Sequence, residues 1–274
     1  MTKLVYARSV RWAARSYRAP VAFCVGLILS AMPMTAQAQW SVTPLGFLNT
    51  SGTGTFQSFG NGVNASGQVV GFSTDALGRF QAFLTGANGT GMSGLGFLNT
   101  SSTGFFFSDA YGVNASGQVV GFSVDALGRQ QAFGTAANGT GMTGLGFLNT
   151  SASGNFYSIA RGVNASGQVV GESFNAQERL QAFWTGANGT GMMSLDGLLA
   201  ANGLGGWEIV LASAISDNGY IAATGQNVAQ GITRQALLIR MGGTPSTTVP
   251  EPASLALVAS GLLALGVVAR RRIA

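Results

Sequence analysis

The sequence predicts an all-β body, a four-bladed β-propeller of about 50-residue repeats closed by its N-terminal strand, set between an apolar leader and an apolar C-terminal span. Three observations carry that expectation. The first is periodicity. Leu45-Gly46-Phe47-Leu48-Asn49-Thr50-Ser51 returns 50 residues later at Leu95 and again at Leu145, and 39 of 50 positions are identical between the first two units. A fixed period of this length marks a stacked or radial repeat. The second is that each unit reads as four short apolar runs parted by Gly, Asn and Asp turns, the pattern of a propeller blade. The third lies at the ends. Residues 40–48 resemble the fourth strand of a unit, and the last, degenerate unit lacks that strand. Pairing the two would close a ring and hide its sheet edges. An open β-solenoid is the alternative.

The elements follow in chain order. Residues 1–38 read as a signal peptide: Lys3, Arg8, Arg11, Arg15 and Arg18 precede the apolar run 21–34, and Ala36-Gln37-Ala38 is a small-x-small cleavage site with Ala36 and Ala38 at its two key positions. The repeat domain spans 39–243, in units 45–94, 95–144, 145–194 and a degenerate 195–243. In the first unit, strands are expected over 56–63, 68–72, 80–85 and 92–98. The β-branched pair Val69-Val70 favours the second. Asn64-Ala65-Ser66-Gly67, Asp75-Ala76-Leu77-Gly78-Arg79 and Ala87-Asn88-Gly89-Thr90-Gly91 supply the turns, because Gly accepts positive φ and Asn, Asp and Ser bond the local backbone. The fourth unit keeps the pattern of residues 62–70 at 214–222, and Gln235-Ala236-Leu237 stands for Gln81-Ala82-Phe83. No stretch of the body holds a helical period beyond two turns.

Past the body comes a linker, 244–252, containing Val249, Pro250, Glu251 and Pro252. The two prolines fix φ and hold their neighbours extended. Residues 253–269 are 17 positions without a charge, expected as a transmembrane helix. Such a helix spans roughly 25 Å, and snorkelling arginines extend its reach toward the bilayer thickness. The basic stop 270–274 carries Arg270, Arg271 and Arg272, expected on the cytoplasmic side, which leaves the repeat domain on the other face of the membrane.

Composition excludes several chemistries. The formal net charge is +5, yet five basic residues sit in the leader and three in the stop. Residues 39–250 hold six arginines and eight acids, net −2, so the body offers nothing to nucleic acid. The chain has no histidine, and its one cysteine, Cys24, lies in the leader. Ser-His-Asp triads, Cys-His pairs and zinc sites built on those ligands are therefore out, as is a disulfide in the body. Only carboxylate chemistry remains. Glu172 and Glu178 occur in the third unit alone, and a glycosidase requires two facing carboxylates. Solvated surface residues explain them more simply. Asp75 and Asp125 recur at one turn without calcium-loop spacing, so turn capping is the expected role. Asn64-Ala65-Ser66 and Asn88-Gly89-Thr90 satisfy the glycosylation sequon but are good turn formers. Phe83, Phe133 and Phe183 are expected in the core, while the unrepeated Trp184 and Trp207 are candidate glycan contacts, with the run Phe105-Phe106-Phe107 a further aromatic feature. No catalytic residue, metal site or cofactor is expected.

Val249-Pro250-Glu251-Pro252-Ala253-Ser254-Leu255, the apolar span and the arginine cluster together resemble a PEP-CTERM sorting signal. That resemblance implies a Gram-negative bacterium that makes extracellular polysaccharide. It also implies processing by exosortase, a membrane-embedded cysteine protease or transpeptidase. The recurring Val-Asn-x-Ser-Gly-Gln-Val-Val-Gly followed by x-Ala-Phe is similar to HAF extracellular repeats, over about 47–239. Here Gln81, Gln131, Gln181 and Gln235 replace the histidine of that family's triplet. The expectation is an exported, non-catalytic protein, held at the inner membrane with its repeat domain periplasmic and then released to the cell surface or extracellular matrix. Its partners would be exosortase and extracellular polysaccharide, bound through similar loops on neighbouring units that add by avidity. A carbohydrate-active enzyme using carboxylates such as Glu172 and a purely structural spacer are the alternatives.

Overall fold

A computed structural model describes residues 40–101, 104–151 and 154–241. The leader 1–38, the linker 244–252, the apolar span 253–269 and the basic stop 270–274 fall outside the described residues. No described helix is long and apolar enough to cross a membrane. The chain divides into a unit ending at Val42 and one beginning at Thr43. In the former, the described residues 40–42 have no regular structure, and Trp40 is 97% exposed.

The second unit is all-β, with four antiparallel sheets. The first is β1 (Ser58–Val63), β2 (Val69–Thr74), β3 (Phe80–Thr85) and β4 (Met92–Gly96), in that spatial order. The second repeats it with β5 (Ser108–Val113), β6 (Val119–Val124), β7 (Gln130–Gly134) and β8 (Thr143–Gly146). The third is β9 (Ser158–Val163), β10 (Val169–Phe174), β11 (Leu180–Trp184) and the two-residue β12 (Met193–Ser194). A short helix α1 (Leu195–Ala201) follows, and the fourth sheet is β13 (Glu208–Ile215), β14 (Tyr220–Asn227) and β15 (Ile232–Arg240). The four strand positions expected per unit are all present in the first three. The fourth unit lacks its last strand, as its sequence indicates. The helix was not legible from periodicity, since seven residues make only two turns. Ser194 accepts a hydrogen bond from Gly197 N at its N-terminus, and Asp196 sits in its first turn, where the helix dipole favours an acid.

Apolar side chains collect between consecutive sheets in three clusters. Val70, Ala82 and Leu84 of the first sheet meet Ala110, Val119 and Phe133 of the second. Val120 and Ala132 meet Ala160, Val169 and Phe183 of the third. Val170 and Ala182 meet Leu195, Ile209, Ala212 and Ile221 of the helix and fourth sheet. The repeated phenylalanine is fully buried in all three units, at Phe83, Phe133 and Phe183. Each buried ring contributes about 1.5–3 kcal/mol.

Side-chain hydrogen bonds then fix one sheet to the next. Ser108 Oγ accepts from Ala82 N at 2.9 Å and donates to Gly96 O at 2.7 Å, and Ser158 does the same for Ala132 N and Gly146 O. Close backbone approach demands glycine at the repeated Gly62 position. A Cβ there would stand 2.5 Å from Tyr111 O of the second sheet, and one at Gly112 would stand 3.0 Å from Arg161 O of the third. The recurring Gly-Val pair of the sequence is thus a contact between sheets, not only a strand signal.

The expected ring closure is not formed. Residues 40–48 contain no strand, and the fourth sheet ends at β15 with three strands. The reason lies in the double use of the Leu-Gly-Phe-Leu-Asn segment. In later copies its first half pairs with the preceding sheet as β4 or β8. Its second half attaches to the following sheet: Leu98 N donates to Ser123 Oγ and Asn99 N to Val124 O. In the N-terminal copy, Leu48 N and Asn49 N donate to Ser73 Oγ and Thr74 O of the first sheet. The second half of this copy is thus held by the first sheet as its later counterparts are held by theirs, while its first half forms no strand. Among the described residues, no strand pair and no core cluster joins the fourth sheet to the first.

Candidate functional site

The repeated motif Asn64-Ala65-Ser66-Gly67-Gln68 builds one end of a groove at each junction between sheets. Asn64 Oδ1 accepts from Ser66 N and Gln68 N, both at 3.0 Å, which closes the turn. Its Nδ2 donates to Gln68 Oε1 at 2.7 Å and across the junction to Asn114 O at 2.9 Å. Asn114 repeats all of this toward Asn164 O, and Asn164 reaches Ser216 O at 3.4 Å. The amide of each asparagine is thereby engaged, and Asn114 and Asn164 are buried. These sequons are clips between sheets. Against each clip docks the short 3₁₀ turn of the same unit: Asn88 N donates to Ser66 O, and Gly89 N donates to Gly67 O. Asn88, Asn138 and Asn188 hold φ of +54 to +56°, which asparagine tolerates better than most residues.

The three grooves differ at one lining position. In the first, Gln68, Leu84, Leu95 and Gly139 surround about 260 Å³. Leu84 reaches across to the 3₁₀ turn of the second unit, its Cδ2 3.0 Å from where a Cβ on Gly139 would lie. The equivalent residue in the second groove is Gly134. Only the Leu145 side chain comes near Gly189 there, and the open space grows to about 440 Å³. In the third groove the position is Trp184, packed beside Leu195, Leu198 and Met241 around about 430 Å³.

The two candidate glycan tryptophans both pack on the cluster between the third and fourth sheets. Trp184 is half-buried, and its Nε1 is buried without a hydrogen-bond partner. Trp207 lines a separate hollow of about 210 Å³ with Leu199, Leu204, Leu237 and Leu238. They do not line a common groove. Of the other aromatics, Phe105 is exposed, whereas Phe106 packs on Phe97 and Phe107 stacks on Phe122.

The acids have structural partners. Glu172 is 3% exposed and pairs with Arg161, Nη2 to Oε1 2.5 Å. Glu178 lies in the β10–β11 turn, where it accepts from Asn155 N and Nδ2 at 3.2 Å. Their bonding partners are separate, and the two do not share one. Asp75 Oδ1 accepts from Leu77 N and Arg79 N, while Oδ2 takes the Arg79 guanidinium at 2.7 Å. Asp125 and Arg129 repeat the arrangement. Each of these arginines lies against two rings of the following segment, Arg79 on Phe97 and Phe106, Arg129 on Phe147 and Phe156, all within 5.0 Å. Both carboxylates are thus committed to turn and stack. Among the described residues no cluster of three potential metal ligands occurs.

Asp109 was not legible as a special residue. It replaces Phe59 of the first unit, on β5, and it is 6% exposed. Burial raises its carboxyl from 3.8 to about 6, against the lowering effect of hydrogen bonds from Tyr111, Ala110 and Asn61 and of the Arg161 charge. Asn61 Nδ2 donates to it at 2.7 Å. Tyr111 is pushed up to about 12, by burial first and then by Asp109. Arg161 lies over the Tyr111 ring at 4.9 Å and is itself paired with Glu172, so the two acids are linked through one tyrosine and one arginine.

The remaining sequence signal is the tail. Residues 248–272 match the PEP-CTERM protein-sorting motif. The chain therefore carries an exosortase sorting signal. The motif takes in Val249, Pro250, Glu251 and Pro252, the apolar span and the three arginines 270–272. It implies export and processing in transit through the membrane, with exosortase as the partner. A comparison with curated proteins gave no match.

Proposed function

We propose that this chain is an exported, non-catalytic repeat protein which the PEP-CTERM tail delivers to the cell surface or extracellular polysaccharide matrix, where its repeat domain binds glycan. The observation that carries the reading is the sorting motif at 248–272. In this reading the leader is cut after Ala38, the span 253–269 holds the body on the periplasmic side, and exosortase acts near Pro250. A glycan role is supported by a body rich in amide and hydroxyl groups, with open grooves between its sheets. Non-catalytic character is supported by the absence of histidine and by the ion pairing of Glu172, the one carboxylate a hydrolase reading favours. Hydrogen bonds and burial that repeat at each junction suit a protein that must persist outside the cell without disulfides.

The test is mass spectrometry of the exported protein from a host with and without exosortase. The mature form is expected to start at Gln39 and to lack residues 270–274. Intact Arg270 to Ala274 on exported protein would overturn the processing step. Deleting 249–252 is expected to leave the full tail on a membrane-bound precursor.

A further inference from the structure

The groove between the second and third sheets combines two features: it has no side chain at the position of Leu84 and Trp184, and no ionisable residue in its lining such as the Arg240 of the third groove. We infer that it takes a segment of uncharged polysaccharide, held between the amides of Gln118 and Asn188, with Gly134 as the residue that opens it. This rests on the glycan-binding reading above and assigns it to one place.

The argument begins with the repeat. Positions 84, 134 and 184 are equivalent, and the chain places Leu, Gly and Trp there. Leu84 crosses its junction and closes down on the facing 3₁₀ turn. Trp184 fills the same place with an indole and packs on α1. Gly134 brings no side chain, so the second groove keeps about 440 Å³ where the first keeps about 260 Å³; the third keeps about 430 Å³ beside Trp184, so it is the lining, not the size, that sets the second apart from the third. The backbone does not require glycine. A Cβ on Gly134 would meet Leu145 Cδ2 at 3.5 Å, an ordinary contact, and its φ lies outside the left-handed region. What the glycine does is leave the space empty.

The walls then select the occupant. None of the residues that line the groove is ionisable. An anionic polymer would lose its hydration there without gaining a counter-charge, which is costly. Gln118, Asn188 and Thr143 supply amide and hydroxyl groups, and Leu145, Val163 and Val169 supply apolar floor. That mixture fits a sugar ring, which presents hydroxyls at its rim and C–H groups on its faces. Asn114 Nδ2 holds Gln118 Oε1 at 2.7 Å, which fixes the amide, while Gln118 Nε2 reaches Asn188 Oδ1 only at 3.5 Å, the limit of a hydrogen bond, so this N–H can donate to a ligand in place of Asn188. By contrast the third groove carries Arg240 and a mainly leucine wall.

Two substitutions test this in the full-length protein in detergent, by calorimetric titration with dextran and malto-oligosaccharides, and with alginate as the anionic probe. Gly134→Leu installs the residue of the first groove on the same backbone, so the fold should be kept and the thermal midpoint unchanged or raised. Asn188→Gly removes an amide from a left-handed position that glycine adopts freely. Wild type is expected to bind a neutral probe, Gly134→Leu at least tenfold more weakly, and Asn188→Gly severalfold more weakly. Equal binding by wild type and Gly134→Leu would refute the groove while leaving glycan binding in place. Binding of alginate alone would refute the choice of an uncharged ligand. Binding of none of the probes by the wild type would refute the glycan reading itself, and the groove with it.

Discussion

At the scale of single residues, the repeated polar positions act as fasteners. Asn64 and Asn114 each bond two backbone N–H groups and one glutamine of their own turn, and one carbonyl of the next sheet, with the same side chain. A hydrogen bond is worth about 0.5–1.5 kcal/mol net, so such a set at each junction matters in a body without disulfides. Asp109 is a residue whose charge works against the fold. Its carboxyl holds a proton up to about pH 6 in the folded protein but only to 3.8 in the unfolded chain. The folded state thus binds the proton more tightly, and stability falls as pH rises from about 4 to about 6. At about 1.4 kcal/mol per pKa unit, the loss is of order 3 kcal/mol. Asp109→Asn is expected to be more stable than wild type above pH 7 by about 2 kcal/mol and nearly equal to it at pH 4. Urea unfolding at the two pH values measures this, and an equal stability difference at both would show that the buried charge is not the cause.

At the scale of elements, strands and turns were legible because their signals are local. The third strand of the first unit falls at Phe80–Thr85, as its apolar run indicates, and the other strand ends differ by two residues or fewer. The turn at Asp75–Arg79 was legible for the same reason: one acid caps two backbone N–H groups. Its third copy is a weaker version. Asn175 replaces the acid, and Glu178 sits at φ +57° where Gly78 and Gly128 hold +76°. A left-handed non-glycine residue costs about 1–2 kcal/mol, partly offset here by its exposed bonds to Asn155. Glu178→Gly is expected to raise the urea midpoint by the equivalent of about 1 kcal/mol. A lower midpoint would mean that the bonds to Asn155 outweigh the backbone strain. The groove was less legible. The sequence signal for it exists, as the one glycine in the series Leu84, Gly134 and Trp184. It carries meaning only once that position is known to face the next sheet.

At the scale of the whole molecule, each core cluster involves only two neighbouring sheets, so the body behaves as a linear array in which stability adds junction by junction. Removing residues 95–144 would join Gly94 to Leu145 in register. The first sheet would then meet the third through the same residue types: Asn64 with Asn164 O, Ala82 N with Ser158, and Arg79 with Phe147 and Phe156. The shortened protein is expected to unfold cooperatively in urea with a slope about a quarter smaller, as less surface is exposed. Loss of cooperative unfolding would show that the second sheet holds the others in a way the array picture omits.

The sequence by itself determined the number of sheets, the strands within them, the turn chemistry and the sorting tail. Alternation, glycine placement and proline spacing act over a few residues, and an exact repeat prints them several times. The tertiary structure alone decided that, among the described residues, no strand pair joins the first sheet to the fourth, and that the groove at Gly134 has no side chain across it. A closed ring and an open array have the same local signals. The difference lies in whether the first half of the Leu45 segment finds a strand partner as its copies at Leu95 and Leu145 do, and that is a long-range contact no local pattern encodes.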